Sequence, residues 1–378
     1  MRIAHLKIEN WRNFRKAKVD LQNRVFLIGP NASGKSNLLD VMRFLRDLAS
    51  DGGGLQDAVK RRWGVSKIRC LAAKQYSDIS ITVSLIEEDE KEEWVYALTF
   101  NQDNKARPII KNEIVTKNRR TILSRPDASD EKDPERKTQT HLEQISANIK
   151  FREISDFFKS IRYRHIVPQL IREPDRSVGR KNDPYGGDFL ELMIRTNVST
   201  RTARLKRIIK TLKIAVPQFE DLQVTRDEGG VPHIEAAYSH WRAWAAKQRE
   251  DQFSDGTLRL LGLLWSVLDG TGPLLLEEPE LSLHPNLVPF IPQMMARVRK
   301  GTKTRRQIIV STHSTDLLNG PGIALDEVIL LNPNEDGTIV ESAQSQDDIK
   351  HLVGGDMPLG FVLINKTGPH NAHQLVLF

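Results

Sequence analysis

One glycine-rich segment near the start of the chain constrains its fold more than any other feature. The segment is Gly29-Pro30-Asn31-Ala32-Ser33-Gly34-Lys35-Ser36, followed by Asn37, and it fits the P-loop pattern. The apolar run Val25–Ile28 predicts a buried strand before it, and the helical spacing of apolar residues in Leu38–Leu48 predicts a helix after it. Such a loop holds phosphates with its backbone N–H groups. We therefore expect nucleotide contacts from Gly29 through Asn37, with Lys35 neutralising the β and γ phosphates and Ser36 binding Mg²⁺.

Composition bounds the class of protein. The chain has 378 residues, of which 39% are hydrophobic and 28% charged, as in ordinary soluble globular proteins. No apolar run approaches the roughly 18 to 20 residues that span a bilayer, and the N-terminus lacks the apolar stretch of a signal peptide. Cys70 is the only cysteine, which excludes an intramolecular disulfide and a thiolate zinc cluster. We expect a cytoplasmic protein with no membrane partner.

The order of predicted elements favours an α/β fold. Alternation predicts strands over Ile3–Ile8 and Lys16–Leu21, and an antiparallel hairpin from Asp78–Leu85 and Glu93–Phe100. Helices and strands alternate in the last third, and this predicts a parallel sheet flanked by helices. These elements are Thr257–Leu268, Leu274–Leu276, Leu287–Val298, Ile308–Val310 and Val328–Leu331.

The middle of the chain is polar and basic. Residues 125–140 are almost entirely polar and are expected to form a mobile loop. Between Ile145 and Ala215 there are 16 Lys and Arg against 7 Asp and Glu, whereas the net charge of the whole chain is +7. We expect an N-terminal lobe (1–115), a basic and mainly helical insertion (116–215), a second lobe (216–345) and a C-terminal tail (346–378).

Paired carboxylates follow the apolar strand Leu274–Leu276. They are Glu277 and Glu278, in the sequence Leu-Leu-Leu-Glu-Glu-Pro-Glu. One carboxylate at a strand tip can hold Mg²⁺, and its neighbour can polarise an attacking water. An acidic cluster after an apolar run is by itself usually a solvated turn, but a P-loop in the same chain favours the functional interpretation.

Two further pieces complete a catalytic pattern. Ser254-Asp255-Gly256-Thr257 opens a predicted helix, and a helix N-terminus of this composition can hold a second phosphate. The strand Ile308–Val310 runs into Ser311-Thr312-His313-Ser314, which places His313 to meet a γ-phosphate. A lone histidine at a strand end is usually a polar cap. The order of the four motifs along the chain favours a catalytic role instead.

These motifs resemble the ABC-type ATPase head of the RecF, SMC and OLD (overcoming lysogenization defect) group. They are most similar to the compact ATPases of prokaryotic anti-phage defence operons. Leu6–Arg15 is similar to the start of that family, and Glu277–Pro285 and Ser311–Ser314 resemble its OLD-type Walker B and switch motifs. RecF usually lacks the Leu-His-Pro continuation found here, and the resemblance covers residues 1–50 and 250–332. It implies a P-loop NTPase of the ABC-head type, with a mixed sheet, an N-terminal β lobe and a helical insertion.

The resemblance also implies ATP and Mg²⁺ as cofactors and a dimer of two chains. It assigns Lys35 and Ser36 as the Walker A pair, Glu277 as the second metal-side ligand, Glu278 as the catalytic base, Ser254–Thr257 as the signature and His313 as the switch histidine. This sequence departs from the family pattern at three places. Aspartate is commoner at Glu277, many ABC proteins have an aspartate at His284, and no Q-loop motif is recognisable, with Gln75 as a candidate for its glutamine.

Partners are less constrained by the sequence. Two basic clusters either follow nucleic-acid phosphates or are solvated helix faces. They are Arg201, Arg204, Lys206, Arg207 and Lys210, and Arg297, Arg299, Lys300, Lys303, Arg305 and Arg306. Trp241 and Trp244 flank Arg242 and either stack on bases or pack in the core. After Asp326, neither Asp336 nor Asp347-Asp348 follows a nuclease strand pattern, so we expect no intrinsic nuclease.

Three functions remain open from the sequence. The first is an ATPase subunit that dimerises on ATP, senses DNA, RNA or a phage component, and regulates a separately encoded nuclease or toxin in anti-phage defence. The second is a DNA-repair ATPase of RecF type. The third is an ATPase scaffold that sequesters a toxin without binding DNA. The first two predict ATP hydrolysis that DNA stimulates, and the third predicts a stable complex with a neighbouring gene product.

Overall fold

A computed structural model describes residues 1–73, 76–87, 92–177, 182–239, 246–301 and 306–367. Its strands are β1 (Arg2–Trp11), β2 (Phe14–Asp20), β3 (Arg24–Ile28), β4 (Ile79–Ile86), β5 (Glu93–Gln102), β6 (Pro108–Lys117), β7 (Arg120–Arg125), β8 (Arg162–Arg164), β9 (Phe219–Arg226), β10 (Pro232–Tyr238), β11 (Ala246–Arg249), β12 (Leu274–Glu277), β13 (Ile308–Thr312), β14 (Val328–Asn334) and β15 (Gly337–Ser342). Its helices are α1 (Lys35–Ala49), α2 (Leu55–Lys60), α3 (Val65–Ile68), α4 (Ala128–Lys132), α5 (Arg152–Lys159), α6 (Pro168–Ile171), α7 (Phe189–Arg195), α8 (Val198–Ala215), α9 (Asp255–Leu268), α10 (Ile291–Arg299), α11 (Thr315–Leu318), α12 (Asp347–Gly354) and α13 (Leu359–Thr367).

A mixed sheet in the order β15-β14-β3-β13-β12-β8 forms the centre of the molecule. Its strands are parallel except for β15, which pairs antiparallel with β14. Side chains alternate between two cores. Val25 and Leu27 of β3 face the first core, whereas Phe26 and Ile28 face the second. Strands buried on both faces need continuous apolar runs, which explains why β3 and β12 could be predicted from sequence.

The first core lies between the mixed sheet and an antiparallel sheet in the order β2-β1-β4-β5-β6-β7. Helix α1 is enclosed there, and its side chains at Leu38, Met42 and Leu45 are fully buried. This confirms the N-terminal strands, the hairpin and the helix after the P-loop that the sequence predicted. The second core packs α8, α9 and α10 and a small sheet, β11-β10-β9, against the other face.

The segment 125–140 differs from the mobile loop that its polar composition predicts. It contains α4 and a 3₁₀ turn, and Asp127 caps α4 by accepting hydrogen bonds from the Ser129 and Asp130 amides. Arg125 is buried and donates to Asp130 at 2.9 and 2.6 Å and to Glu113 at 3.1 Å. Polar residues are ordered here because they bond one another inside the lobe.

One of the predicted domain limits cuts an element, whereas the limit after residue 215 coincides with the end of α8. The limit after residue 115 falls inside β6, and the insertion expected to be mainly helical contributes β7 to one sheet and β8 to the other. The expected tail contains α12 and α13, whose Ile349, Val362 and Leu363 are buried in the second core. Among the described residues, no helix is long and apolar enough to cross a membrane.

Candidate functional site

The glycine-rich loop joins β3 to α1 and is fixed in place by Asn13. Gly34 caps α1 with φ +99°, and a side chain there would collide with Asn13. The Asn13 amide donates to the Ser33 carbonyl at 2.8 Å and to the Thr338 hydroxyl at 2.6 Å, and it accepts from Asn37 at 2.8 Å. The Thr338 hydroxyl also donates to the Ser33 carbonyl at 2.8 Å. Glycine is therefore needed at Gly34 for both backbone conformation and space.

Lys35, the expected phosphate-binding lysine, is folded onto the loop. Its ammonium group donates to the carbonyls of Gly29 at 2.7 Å and Pro30 at 3.0 Å. Burial lowers the pKa of Lys35, while Glu278 and Glu277 act in the opposite direction. The lysine is thus held at the loop mouth by neutral carbonyls, beside an acidic strand edge.

The parallel strands bring the predicted metal-side residues together. Strands β12 and β13 lie beside β3, so their carboxyl ends meet the P-loop at one edge of the sheet. The Ser36 hydroxyl donates to one Glu277 oxygen, and the Tyr163 hydroxyl donates to the other. His165 Nδ1 lies 3.2 Å from the Glu277 carbonyl oxygen. Burial and the Glu277 charge raise the pKa of Tyr163 well above its usual range.

Glu278 and His313 also meet at this edge. His313 Nδ1 lies 2.9 Å from a Glu278 carboxylate oxygen, and the Glu278 amide donates to the Ser311 carbonyl at 2.9 Å. Glu278 has φ +44°, a left-handed conformation that is uncommon for residues other than glycine. Such conformations occur preferentially at functional sites, where surrounding structure holds them. The two residues predicted to be catalytic are therefore adjacent.

Several buried polar atoms around this edge have no hydrogen-bond partner among the described residues. They include one hydroxyl oxygen in the loop, one at the end of β13, and atoms of a glutamate and an arginine. They are Ser33 Oγ, Ser311 Oγ, Glu280 Oε2, and Arg259 Nε and Nη1. The other Glu280 oxygen accepts from the Thr312 hydroxyl at 2.5 Å. Burial raises the pKa of Glu280 and lowers that of Arg259.

Ser254–Thr257, the expected signature, begins α9. The Ser254 hydroxyl accepts from the Thr257 amide at 3.1 Å, as an N-cap does, while its side chain is exposed. Arg172 and Gln169 hold the Asp255 carboxylate at 2.6 and 3.1 Å. A side chain at Gly256 would lie 2.9 Å from the Ser282 carbonyl. In the described part of the chain, no hydrogen bond or ion pair joins this segment to Gly29–Ser36.

The structure describes some of the remaining candidate residues, leaves others outside its described ranges, and adds residues that the sequence did not single out. His284 is exposed and accepts a hydrogen bond only from the Asn286 amide among the described residues. Gln75, Trp241, Arg242, Trp244, Lys303 and Arg305 lie outside the described residues. Tyr163, His165, Glu280, Arg259 and Asn13 were not singled out from the sequence. A pair such as Tyr163–Glu277 depends on β8 pairing with β12, and a three-residue edge strand gives no readable pattern.

A cavity of about 740 Å³ adjoins the P-loop. Asn13 and Asn37 line one side, and Ser66, Lys67 and Arg69 line another. Its volume is within the range of small-molecule sites. Mg²⁺ usually takes one or two protein ligands and completes its shell with phosphates and water. The Ser36–Glu277 pair fits that requirement, and no group of three metal-ligating residues occurs in the described ranges.

Comparison with known proteins gives a family and a fold. A family profile described as "AAA domain, putative AbiEii toxin, Type IV TA system" matches residues 24–319. An SMC head bound to the C-terminal winged-helix domain of ScpA is 15% identical, with a TM-score of 0.56, covering 90% of this chain and 98% of that one. An Smc head with an extended coiled coil from Pyrococcus furiosus, bound to the C-terminal domain of ScpA, is 13% identical, with a TM-score of 0.53 and coverages of 93% and 99%. No curated protein sequence matches the chain. These structural likenesses confirm the predicted ABC-type ATPase-head fold.

Proposed function

Because the chain belongs to the AAA-domain family of putative AbiEii toxins in type IV toxin–antitoxin systems, we propose that it is an ATPase that binds ATP and Mg²⁺ between two copies of itself. One observation carries the proposal. The P-loop serine and the carboxylate at the tip of β12 are hydrogen-bonded across 241 residues of sequence. A hydroxyl and a carboxylate in contact beside a phosphate-binding loop are the protein ligands that ATP-bound Mg²⁺ requires.

In this proposal, Lys35 exchanges its carbonyl partners for the β and γ phosphate oxygens. Charged hydrogen bonds to phosphate are stronger than bonds to neutral carbonyls, so the exchange favours the bound state. Ser33–Asn37 present the N-terminus of α1 to the phosphates. The cavity lined by Asn13, Asn37 and Lys67 receives the nucleoside.

Hydrolysis then depends on Glu278. Water attacks the γ phosphorus, its proton passes to the Glu278 carboxylate, and the bond to the β–γ bridging oxygen breaks to give ADP and phosphate. His313 orients the carboxylate through the 2.9 Å contact of its Nδ1. Bound Mg²⁺, held by Ser36 and Glu277, supplies charge that stabilises the phosphates.

Lys35→Ala tests nucleotide binding. Loss of a charged hydrogen bond is expected to weaken ATP binding about 10- to 150-fold, with the melting temperature unchanged. Isothermal titration calorimetry measures the affinity. Lys350→Ala, which removes an exposed lysine paired with Asp347, is the matched control and should bind ATP normally. Equal ATP affinity for Lys35→Ala and wild type would overturn the assignment.

Dimerisation completes the proposed site. The signature exposes Ser254 and, within the described ranges, makes no bond to its own P-loop, so in a two-fold dimer it can face the loop of the partner copy. Each γ-phosphate then gains the N-terminus of α9, which ADP cannot use. This difference couples ATP binding to dimerisation by about 1 to 3 kcal/mol.

Light scattering tests the dimer. Glu278→Gln protein should double its mass with ATP but not with ADP, and adding Ser254→Arg should prevent the increase because a bulky cation blocks the partner's phosphate site. A monomer in all four conditions would exclude the ATP sandwich. A constant dimer would show that another surface holds the chains together.

We place this ATPase in a system with a separately encoded toxic effector, as part of anti-phage defence. The toxin–antitoxin system in the family description favours this over a RecF-like repair role. Co-expression with the adjacent gene product and co-purification with and without ATP test the placement. A complex that ATP changes supports it. ATP hydrolysis stimulated by DNA, without any effector complex, would favour the repair role instead.

A further inference from the structure

A surface segment far from the expected basic clusters is the most cationic run of the N-terminal lobe. Residues 58–77 contain six Lys and Arg and no Asp or Glu. Lys60, Arg61, Lys67 and Arg69 are exposed. Arg62 is buried and pairs with two aspartates of α1. Because Arg61 pairs with Asp57 at 2.6 Å, the exposed cations that this segment offers to a partner are Lys60, Lys67 and Arg69.

The same segment exposes large apolar side chains. Trp63 is 86% exposed, Leu71 96% and Tyr76 73%. Tryptophan has a large apolar surface, most of which is buried on average in folded proteins. An exposed aromatic ring between cations matches the composition of surfaces that bind single-stranded nucleic acid.

Trp63 also occupies a backbone position that favours glycine. Helix α2 ends in a Schellman motif, in which the Gly64 amide donates to the Val59 carbonyl at 3.1 Å and the Trp63 amide donates to the Lys60 carbonyl at 3.0 Å. Trp63 is the left-handed residue of this motif, with φ +66°. Glycine at this position would relieve the strain and remove the exposed ring. The tryptophan thus opposes stability in two ways, which points to a function.

The clusters that the sequence singled out are partly used inside the protein. Arg204 pairs with Asp269 at 3.0 Å, and Arg207 donates to the Lys300 carbonyl at 3.2 Å. Arg306 is 3% exposed and donates to backbone carbonyls, so it cannot reach a phosphate. By contrast, Lys60, Lys67 and Arg69 are exposed at the surface.

We propose that Lys60–Arg69 binds single-stranded nucleic acid, with Trp63 stacking on an unpaired base and Lys60, Lys67 and Arg69 contacting phosphates. Exposed aromatic rings set among cations offer stacking platforms for bases, whereas a membrane-binding helix needs a continuous apolar face, and helix α2 buries its apolar Leu55, Ala58 and Val59. Lys67 and Arg69 also line the cavity that contains Asn13 and Asn37. The bound strand would therefore pass beside the P-loop. Lys60 and Trp63 do not line this cavity, so their part in strand binding can be tested separately from ATP hydrolysis.

Fluorescence anisotropy of the full chain tests the site with three labelled probes, a 20-nucleotide oligothymidylate, an oligouridylate and a 20-base-pair DNA duplex. Trp63→Gly should weaken binding of the two single strands by about 5- to 150-fold, because stacking of one base is lost. Duplex affinity should change less than twofold, because paired bases cannot stack on the ring. Trp63→Phe should keep most of the affinity. The ratio of the two single-strand affinities distinguishes DNA from RNA as the ligand.

Two controls separate binding from folding. Trp63→Gly should melt at the same temperature as wild type or higher, and should hydrolyse ATP normally without nucleic acid. Phe290→Ala removes a half-exposed aromatic side chain outside the segment and should leave strand binding unchanged.

The phosphate contacts have a test of their own. Lys67→Ala with Arg69→Ala should reduce the slope of log affinity against log salt by about 1.4 for single strands.

Three results would overturn the proposal. One is wild-type protein that binds neither single strand at micromolar concentration. Another is Trp63→Gly with wild-type strand affinity. The third is a clear drop in the melting temperature of Trp63→Gly, which would assign the ring to packing or to a protein partner. Failure of ATP hydrolysis in every variant would refute the ATPase proposal and leave this one unaffected.

Discussion

An arginine and a glutamate are buried in each of two regions of the molecule, and the two regions differ in how fully these side chains are hydrogen-bonded. In the antiparallel lobe, Arg125 bonds Glu113 and Asp130, and Glu113 also accepts from two backbone amides and the Tyr96 hydroxyl. Beside the P-loop, Arg259 has two buried nitrogens without partners, and Glu280 has one such oxygen. Satisfied polar burial specifies a structure, whereas unsatisfied polar burial costs stability. In the lobe the buried polar groups bond one another and stabilise the fold, whereas at the site some buried polar atoms remain available to hydrogen-bond a ligand.

Glu278→Gln should produce the largest effect, and only at the site. The amide keeps the shape of the side chain but cannot accept the proton of water, so kcat should fall about 100- to 10,000-fold. The unfolding free energy should hardly change, since Glu278 is half-buried at a solvent-facing edge. Steady-state ATPase assays and thermal melting measure the two quantities. Glu131→Gln makes the same change at an exposed carboxylate outside the site and should retain turnover. Wild-type turnover by Glu278→Gln would place the base elsewhere.

Arg125→Met should produce the next effect, and only in the lobe. It leaves Glu113 and Asp130 buried without their main partner, which should lower the unfolding free energy by about 3 to 5 kcal/mol. Arg107→Met, which breaks exposed pairs with Asp103 and Glu135, should cost less than about 1 kcal/mol. Urea unfolding measures both variants.

Arg259→Met makes the comparison direct, since it removes a buried arginine from the site instead of the lobe. Its side-chain nitrogens Nε and Nη1 have no bonds to lose among the described residues, and their burial already costs stability, so the unfolding free energy should stay the same or rise. A loss of unfolding free energy as large as that of Arg125→Met would show that Arg259 stabilises the fold as much as the buried arginine of the lobe does.

Glu280→Gln should have the smallest effect, and it should depend on pH. Burial raises the pKa of Glu280 above 4.5, so the folded state binds its proton more tightly than the unfolded state. The wild type should therefore lose stability relative to Glu280→Gln as pH rises from 4.5 through the raised pKa. Urea unfolding of both proteins at pH 4.5 and 7 measures the difference. A stability difference independent of pH would contradict this ionisation.

The parts predicted from sequence are those in which neighbours along the chain act together. Gly29–Ser36 and Glu277-Glu278 are local motifs next to strands with continuous apolar runs, so the fold around them and their meeting at one sheet edge could be predicted. The Tyr163–Glu277 contact was not, because it depends on the pairing of a three-residue strand. Arg125–Asp130 looked like a solvated loop, since composition cannot show which polar groups meet inside. The unusual position of Trp63 could not be predicted from the sequence, because the strain at this residue appears only in its backbone dihedral angles.

The bonds from Asn13 and Ser33 to Thr338 have a consequence for synthesis of the protein. Asn13 and Thr338 are 325 residues apart in the chain. At a translation rate of about 5 to 20 residues per second, roughly 15 to 65 s separate the appearance of the two side chains. A nascent chain therefore contains its P-loop long before Thr338, which bonds Asn13 and the loop, has been synthesised. Chains interrupted before residue 338 would lack these bonds, so the P-loop reaches its final bonding only after Thr338 has been synthesised.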